Sequence, residues 1–96
     1  MKIFISGKIS GDKNYKEKFA KAEEEIKKLW TTEVINPTEI KLPSCCEWED
    51  YMKVCINLID ECDAVYFLKD WQESAGACTE MAAALKRNIT IIRETK

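Results

Sequence analysis

One carboxylate of this chain stands where a parallel α/β sheet can use it for chemistry. Glu80 follows Ser74 and Gly76 in the stretch WQESAGACTE, which leads from an apolar strand into an alanine-rich helix. A strand-to-helix turn of this kind opens onto the edge of the sheet where the carboxyl ends of the strands meet and ligands bind. On a helical wheel Glu80 lies at the edge of the apolar stripe, so we expect its carboxyl group to be partly desolvated.

The alternative for Glu80 is a solvated role at the surface. A carboxylate near the start of a helix interacts favourably with the amino end of the helix dipole. Burial against alanines opposes ionisation, so the residues alone leave the sign of its pKa shift open. Both roles are compatible with the spacing.

A glycine loop follows the first predicted strand and is a second candidate binding element. In GKISG, Gly7 and Gly11 allow backbone amides to approach an anion, and Lys8 and Ser10 add donors. The spacing matches neither a Walker A loop nor the dinucleotide fingerprint GxGxxG. The loop is interpreted as a phosphate or sugar cradle, with a simple tight turn as the alternative.

Strands alternate with helices along the whole chain. Strands are predicted at 3–6, 33–36, 64–68 and 89–92, and helices at 14–30, from a capping box of Ser44 with Glu47 to residue 62, and from the turn after Trp71 to about Arg87. This alternation predicts a single α/β domain over residues 1–96. Its expected architecture is a flavodoxin-like or Rossmann-like three-layer sandwich with a four-stranded parallel sheet in the order βαβαβαβ.

Each predicted helix carries an apolar stripe that should face the sheet. The stripe residues are Tyr15, Phe19, Ala22, Ile26 and Leu29 in the first helix, Trp48, Met52, Cys55, Ile59 and Cys62 in the second, and Ala77, Met81, Ala84 and Leu85 in the third. If the first and third strands are neighbours, the Gly7 loop and residues 74–80 meet across one crevice. Trp71, Trp48 and Tyr51 are candidates for a stacking wall there, with core or interface packing as the alternative.

The composition argues against several classes of protein. In 96 residues, 15 basic and 17 acidic side chains are mixed along the chain, and a net charge of -2 offers no basic field for a nucleic acid. No apolar run has the length of a signal peptide core or of a membrane span. Five cysteines without a histidine or a CxxC pair argue against zinc and for a reduced chain. We expect a cytoplasmic protein without a bound metal, and we expect it to bind neither a nucleic acid polymer nor a membrane.

Five motifs, FISGKISG, NP, WEDYM, CDAV and SxGxxxE, occur in this order over almost the whole chain. Together they resemble the nucleoside 2-deoxyribosyltransferase superfamily, and most closely its short, uncharacterised bacterial and phage branch. The resemblance implies that Glu80 is a nucleophile that attacks the anomeric carbon of a 2-deoxyribosyl N-glycoside and forms a covalent sugar ester. It also implies that Ser74 contacts a phosphate, as in the related 2-deoxynucleoside 5-phosphate N-hydrolases, and that no cofactor is needed.

The chain departs from this family beside the expected site. Cys55 stands where the family has a supporting Asp, and Phe4 stands where it has a Tyr, so the ring is kept and the hydroxyl is lost. Lys8 and Ser10 occupy the positions of the Ser and Arg that bind phosphate in the hydrolases. Three aspartates remain as candidates for the missing acid, namely Asp60, Asp63 and Asp70.

Two functions from different classes follow from these residues. The first is cleavage of a nucleoside or nucleotide N-glycosidic bond, or deoxyribosyl transfer, through a covalent glycosyl intermediate on Glu80. The alternative is a catalytically silent module on the same fold that binds a nucleotide or another protein. The predicted substrate-binding residues are Phe4, Gly7, Lys8, Ser10, Gly11, Cys55, Ser74 and Gly76. Self-association is expected, because a sheet this small exposes edges and helix faces and because the family builds its sites between subunits.

Overall fold

Four parallel strands form the sheet of the computed structural model, which describes residues 2–9, 11–30, 33–40 and 47–94. The strands are β1 (Lys2–Ser6), β2 (Glu33–Ile35), β3 (Ala64–Phe67) and β4 (Thr90–Arg93). Their order across the sheet is β2-β1-β3-β4, and each neighbouring pair is parallel. This is the flavodoxin-like order, so the predicted fold class is confirmed and the first and third strands are neighbours.

In the described part of the chain, three α-helices cover the sheet: α1 (Tyr15–Leu29), α2 (Trp48–Asp60) and α3 (Ala75–Lys86). Helix α1 packs on one face of the sheet, and α2 and α3 pack on the other. Because side chains alternate between the faces of a strand, Ile3 and Ile5 of β1 pack under α1, whereas Phe4 packs under α2 and α3. The predicted three-layer arrangement is therefore confirmed.

Helix α2 begins three residues later than the sequence predicts. Glu47 is its N-cap and forms a capping box with Asp50, in which each side chain accepts a hydrogen bond from the backbone N–H of the other residue. The predicted cap was Ser44, which lies outside the described residues. Glu47 and Asp50 stand three residues apart, which is the spacing that a capping box needs.

Three residues predicted on inner stripes are exposed, and two of them lie in α1 and α2. Leu29 is 70% exposed and Trp48 is 55% exposed. Leu29 lines a groove of about 980 Å³ between α1 and β4, together with Trp30 and Tyr66. Among the described residues α1 is the sole helix on that face, so the outer side of β4 has no helix over it there. Trp48 is exposed because it is the first residue of α2, at the edge of the sheet.

In the part of the chain that the structure describes, no helix combines the length and the apolar composition that a membrane crossing needs. Cys55, Cys62 and Cys78 are free thiols, while Cys45 and Cys46 lie outside the described residues. The cytoplasmic location and the self-association stay predictions.

Gly7 lets the chain turn closely over the end of β3. The backbone N–H of Leu68 donates to the carbonyl of Ser6 at 2.9 Å, which brings Leu68 beside the start of the loop. A Cβ on Gly7 would lie 2.6 Å from Leu68 Cδ1 and 2.9 Å from Leu68 Cβ. Because Leu68 is fully buried, a side chain at position 7 would force β3 and the loop apart.

We expect Gly7→Ala to lower the free energy of unfolding by about 1–3 kcal/mol, the usual cost of overpacking a filled core. Gly76→Ala is the matched control, since a Cβ there would meet the flexible Met52 side chain at 3.3 Å and alanine favours a helix. Urea unfolding of both variants and the wild type measures the difference. A Gly7→Ala variant as stable as the wild type would contradict the close approach.

Candidate active site

The carboxyl group of Glu80 meets the hydroxyl of Ser6 inside the fold. Ser6 is the last residue of β1 and lies two positions after Phe4, so its side chain points to the face of the sheet that α3 covers. Its Oγ donates a hydrogen bond of 2.6 Å to Glu80 Oε1. Ser6 is fully buried, and Glu80 is 6% exposed. Hydroxyl-to-carboxylate hydrogen bonds of this length are among the strong ones in proteins.

The rotation of α3 places Glu80 within the buried side of the helix. At about 3.6 residues per turn the buried residues form one continuous arc. In order around the helix they are Ala83, Glu80, Ala84, Ala77 and Met81. Leu85 is 61% exposed, and its predicted inner position is wrong because the arc turns away from it. Burial also excludes the solvated role for Glu80.

Burial raises the pKa of Glu80 to about 7, although hydrogen bonds from Ser6 and Cys55 oppose the shift. The neighbouring thiol is also perturbed. Burial and the nearby Glu80 carboxylate raise the pKa of Cys55 to about 12, so Cys55 keeps its proton at neutral pH and serves Glu80 as a donor. The carboxyl group of Glu80 therefore exchanges its proton close to neutral pH.

This arrangement suits a carboxyl group that reacts in a dry environment. Ionised, Glu80 is a nucleophile or a base, and protonated it is an acid, so a pKa near neutral allows either role. Every buried side-chain nitrogen or oxygen of the described residues has a hydrogen-bond partner, and Glu80 is held in one orientation by its donors. The described residues contain no group of three or more Cys, Asp or Glu side chains that could hold a metal ion.

In the predicted glycine loop, Gly7 and Gly11 meet backbone and packing constraints, and Lys8 binds carboxylates. Gly7 lies against Leu68, and Gly11 adopts a left-handed conformation with φ of 81°. The amide of Lys8 donates to Asp70 Oδ1 at 3.1 Å, and its ammonium pairs with Glu73 at 3.4 Å. Ser10 lies outside the described residues.

Phe4 of β1 and Cys55 of α2 are fully buried in the same core cluster, between the sheet and the helices α2 and α3. Ser74 is the N-cap of α3, and its Oγ accepts a hydrogen bond of 3.2 Å from the backbone N–H of Ala77. A Cβ on Gly76 would lie 3.8 Å from Ser74 Oγ, so the two are adjacent at the start of α3. Their roles in substrate binding stay predictions.

The three candidate aromatic residues differ in how much they are already engaged. Trp71 packs edge-on against Phe67 with ring centroids 5.5 Å apart. The hydroxyl of Tyr51 donates to the carbonyl of Pro37 at 3.1 Å, and burial raises its pKa. Trp48 is the most open of the three, and its indole nitrogen comes within 3.8 Å of a Cβ built on Gly76. Trp48 is therefore the side chain best placed to contact a ligand at the start of α3.

The three candidate replacement acids are bound elsewhere. Asp63 accepts a hydrogen bond of 2.7 Å from the backbone N–H of Lys2, at the amino edge of the sheet. Asp60 pairs with Arg87 near the same edge, opposite the end of β1 that carries Ser6. Asp70 lies at the carboxyl edge, where it binds the Lys8 amide. None of these contacts supplies a second acid to Glu80.

Ser6 is the hydrogen-bond partner of Glu80 that the sequence interpretation missed. A polar residue at the end of an apolar strand, on the same face as Phe4, was the available signal. The contact with Glu80 joins residues 74 positions apart, so it depends on which face α3 covers and on how α3 is rotated. The ion pair of Lys18 Nζ with Asp12 Oδ2 at 2.5 Å was also missed, because a lysine and an aspartate near a helix start are typical of a solvated face.

Known proteins match this chain at the level of family and fold. A family model described as "Domain of unknown function (DUF4406)" matches residues 1–93. No curated protein matches the sequence. Among solved structures, the chain is similar to a 2-desoxiribosyltransferase from Leishmania mexicana at 15% identity and a TM-score of 0.71, over 96% of this chain and 62% of that one. The chain thus corresponds to part of that protein, and the likeness shows a shared fold.

We expect the free energy of unfolding to fall as the pH rises from about 4.5 to about 7. The pKa of Glu80 is about 7 in the folded protein and 4.5 at its ordinary value, so in this window the folded chain keeps a proton that the unfolded chain releases. The resulting stabilisation is complete below pH 4.5 and is lost as the pH passes through about 7, by roughly 3 kcal/mol in total.

Glu80→Gln isolates this contribution, because the amide does not titrate and all other groups are shared. The difference in unfolding free energy between the wild type and Glu80→Gln, measured by chemical denaturation between pH 4 and 8, should shift in favour of the variant as the pH rises. A difference that is constant with pH would contradict the raised pKa.

Proposed function

The chain belongs to the DUF4406 family, and we propose that it is a nucleoside-directed enzyme with Glu80 as its nucleophile. It would cleave the N-glycosidic bond of a 2-deoxynucleoside or transfer the deoxyribosyl group. The observation that carries this proposal is the buried pair of Ser6 and Glu80 at the carboxyl edge of the sheet, with a pKa of about 7 for Glu80. The fold that the chain shares with a 2-desoxiribosyltransferase and the SxGxxxE motif support the same conclusion.

The proposed reaction consists of two displacements at the anomeric carbon. The Glu80 carboxylate attacks this carbon, a C–O bond forms, and the C–N bond to the base breaks. The base leaves with the electron pair of that bond and takes a proton from water. Water or a second base then attacks the same carbon and displaces the carboxylate, which gives the free sugar or a new nucleoside.

Ser6 and Cys55 have distinct parts in this scheme. Ser6 orients Glu80 and favours its ionised form by donating to Oε1. Cys55 takes the position of the supporting Asp in the nucleoside 2-deoxyribosyltransferase superfamily, which this sequence resembles. Its thiol is neutral because its pKa is about 12. A second carboxylate beside Glu80 would raise the pKa of Glu80 further, whereas a neutral thiol that donates a hydrogen bond lowers it. The substitution thus keeps Glu80 ionisable near neutral pH.

Base release from a panel of 2-deoxynucleosides and their 5-monophosphates tests the proposal. We expect Glu80→Ala to lose about a thousandfold or more in turnover, because the substitution removes the attacking oxygen. Glu24→Gln is the matched control, since it removes a largely exposed carboxylate from α1 and should leave turnover unchanged. Absence of base release by the wild type from every compound in the panel, or equal release by Glu80→Ala, would refute the proposed function.

The pH dependence of kcat/KM tests the partnership of Ser6 with Glu80. Since the ionised form attacks, kcat/KM should rise with pH and level off above the pKa of about 7. Ser6→Ala removes a hydrogen bond that lowers this pKa, so the rising limb should move to higher pH. If kcat/KM rises at the same pH in the wild type and in Ser6→Ala, Ser6 does not lower the pKa of Glu80.

A second candidate function is ligand binding without turnover. The neutral Cys55 thiol favours it, because a thiol with a pKa of about 12 is a poor proton donor to a leaving base. Calorimetry separates the two candidates. Binding of a deoxynucleoside that releases no base would support the second candidate and exclude the first.

A further inference from the structure

Five ionised side chains at the carboxyl edge of the sheet connect the glycine loop to the segment before α3. The set consists of Lys8, Asp12, Lys18, Asp70 and Glu73 and is called the Lys18 cluster. Lys18 Nζ contacts Asp12 Oδ2 at 2.5 Å, the carboxylate of Asp70, and the carbonyl oxygen of Lys8 at 3.0 Å. Lys18 therefore bridges the loop and the end of β3.

Both donors of Lys8 already face carboxylates of this chain. The backbone N–H of Lys8 donates to Asp70 Oδ1 at 3.1 Å. Its ammonium lies 3.4 Å from Glu73 Oε1. In a loop that cradles phosphate, the backbone amides and the cation are the groups that meet the phosphate oxygens. Here carboxylate oxygens hold those positions.

The contacts between Lys18 and its carboxylate partners favour the charged forms of Lys18 and Asp12. Burial opposes the charge on Lys18, but hydrogen bonds to Asp12 and Asp70 outweigh it and raise the pKa of the ammonium. The hydrogen bond from Lys18 lowers the pKa of Asp12. Asp70 and Lys18 have side chains that are 21% and 24% exposed, so solvent screens their charges less than it screens fully exposed ions.

Two ammonium groups against three carboxylates leave the cluster with a negative balance. A phosphate monoester carries about 1.5 to 2 negative charges at neutral pH. To bind at the loop it would have to displace Asp70 from the Lys8 amide and Glu73 from the ammonium, and would then lie beside both displaced carboxylates. A neutral sugar hydroxyl meets no such repulsion and can accept or donate a hydrogen bond there.

We propose that Asp70, with Asp12 and Glu73, makes the site selective for 2-deoxynucleosides that carry no 5-phosphate. The carboxylates act as internal counter-ions that occupy the loop in place of the phosphate. This inference rests on the proposed function, and it assigns a specificity role to three acids that lie outside the Ser6 and Glu80 pair.

Asp70→Asn is the most direct test, because its amide oxygen still accepts from the Lys8 N–H while the negative charge is lost. We expect the wild type to prefer a deoxynucleoside over its 5-monophosphate by at least about tenfold in kcat/KM at low ionic strength. Asp70→Asn should raise kcat/KM for the monophosphate on the order of tenfold and change the value for the nucleoside much less. Asp60→Asn is the matched control, since it removes the same charge at the opposite edge of the sheet and should leave the ratio unchanged.

Glu73→Gln is a second variant with little risk to folding, because the Glu73 side chain is 67% exposed. It should move the ratio in the same direction. A wild type that prefers the monophosphate, or an Asp70→Asn ratio equal to that of Asp60→Asn, would overturn the selectivity while leaving the proposed function intact.

Calorimetry on Glu80→Ala separates binding from turnover. Tighter binding of the nucleoside than of the monophosphate supports the inference, and equal or tighter binding of the monophosphate overturns it. Failure of both ligands to bind or to release base overturns the proposed function and this inference together.

Discussion

A buried carboxyl group is costly, and the hydrogen bond from Ser6 to Glu80 is the contact that makes it tolerable in this fold. Desolvation raises the pKa of Glu80, while the donors Ser6 and Cys55 keep the rise small enough for ionisation at neutral pH. The rotation of α3 buries Glu80 against Ser6 and leaves Leu85 in solvent.

The sheet explains why these groups meet at one edge. In a parallel sheet the loops after β1 and β3 leave from the same edge, and the order β2-β1-β3-β4 makes those two strands neighbours. Gly7 permits the close passage of the first loop over Leu68, and the Lys18 cluster fastens that loop to the segment before α3. Glu80 and the Lys18 cluster thus lie at the same edge of the sheet, with the apolar cluster around Phe4 and Cys55 beneath Glu80.

Much of the fold was predictable from the chain because its apolar runs and helical stripes are strongly periodic. The alternation of elements predicts the parallel sheet, and Phe19, Ala22 and Ile26 were predicted inside α1 and are buried there. Periodicity failed where a specific contact competes with hydrophobicity. It assigned Leu85 to the interior and Glu80 to the edge of the stripe, since nothing local reveals a donor 74 residues away. It also placed the start of α2 at Ser44, whereas Glu47 has an extended backbone and forms the capping box with Asp50 at which the helix begins.

Intact-protein mass spectrometry can detect the proposed covalent bond between Glu80 and the sugar. A 2-deoxynucleoside with fluorine at C2 of the sugar should slow breakdown of the ester, so that it accumulates. We expect a mass increase of one sugar per chain, located by peptide mapping on the segment that contains Glu80 and absent in Glu80→Gln. Base release from the unmodified substrate without any adduct from the fluorinated one, or an adduct on another residue, would rule out a covalent intermediate on Glu80.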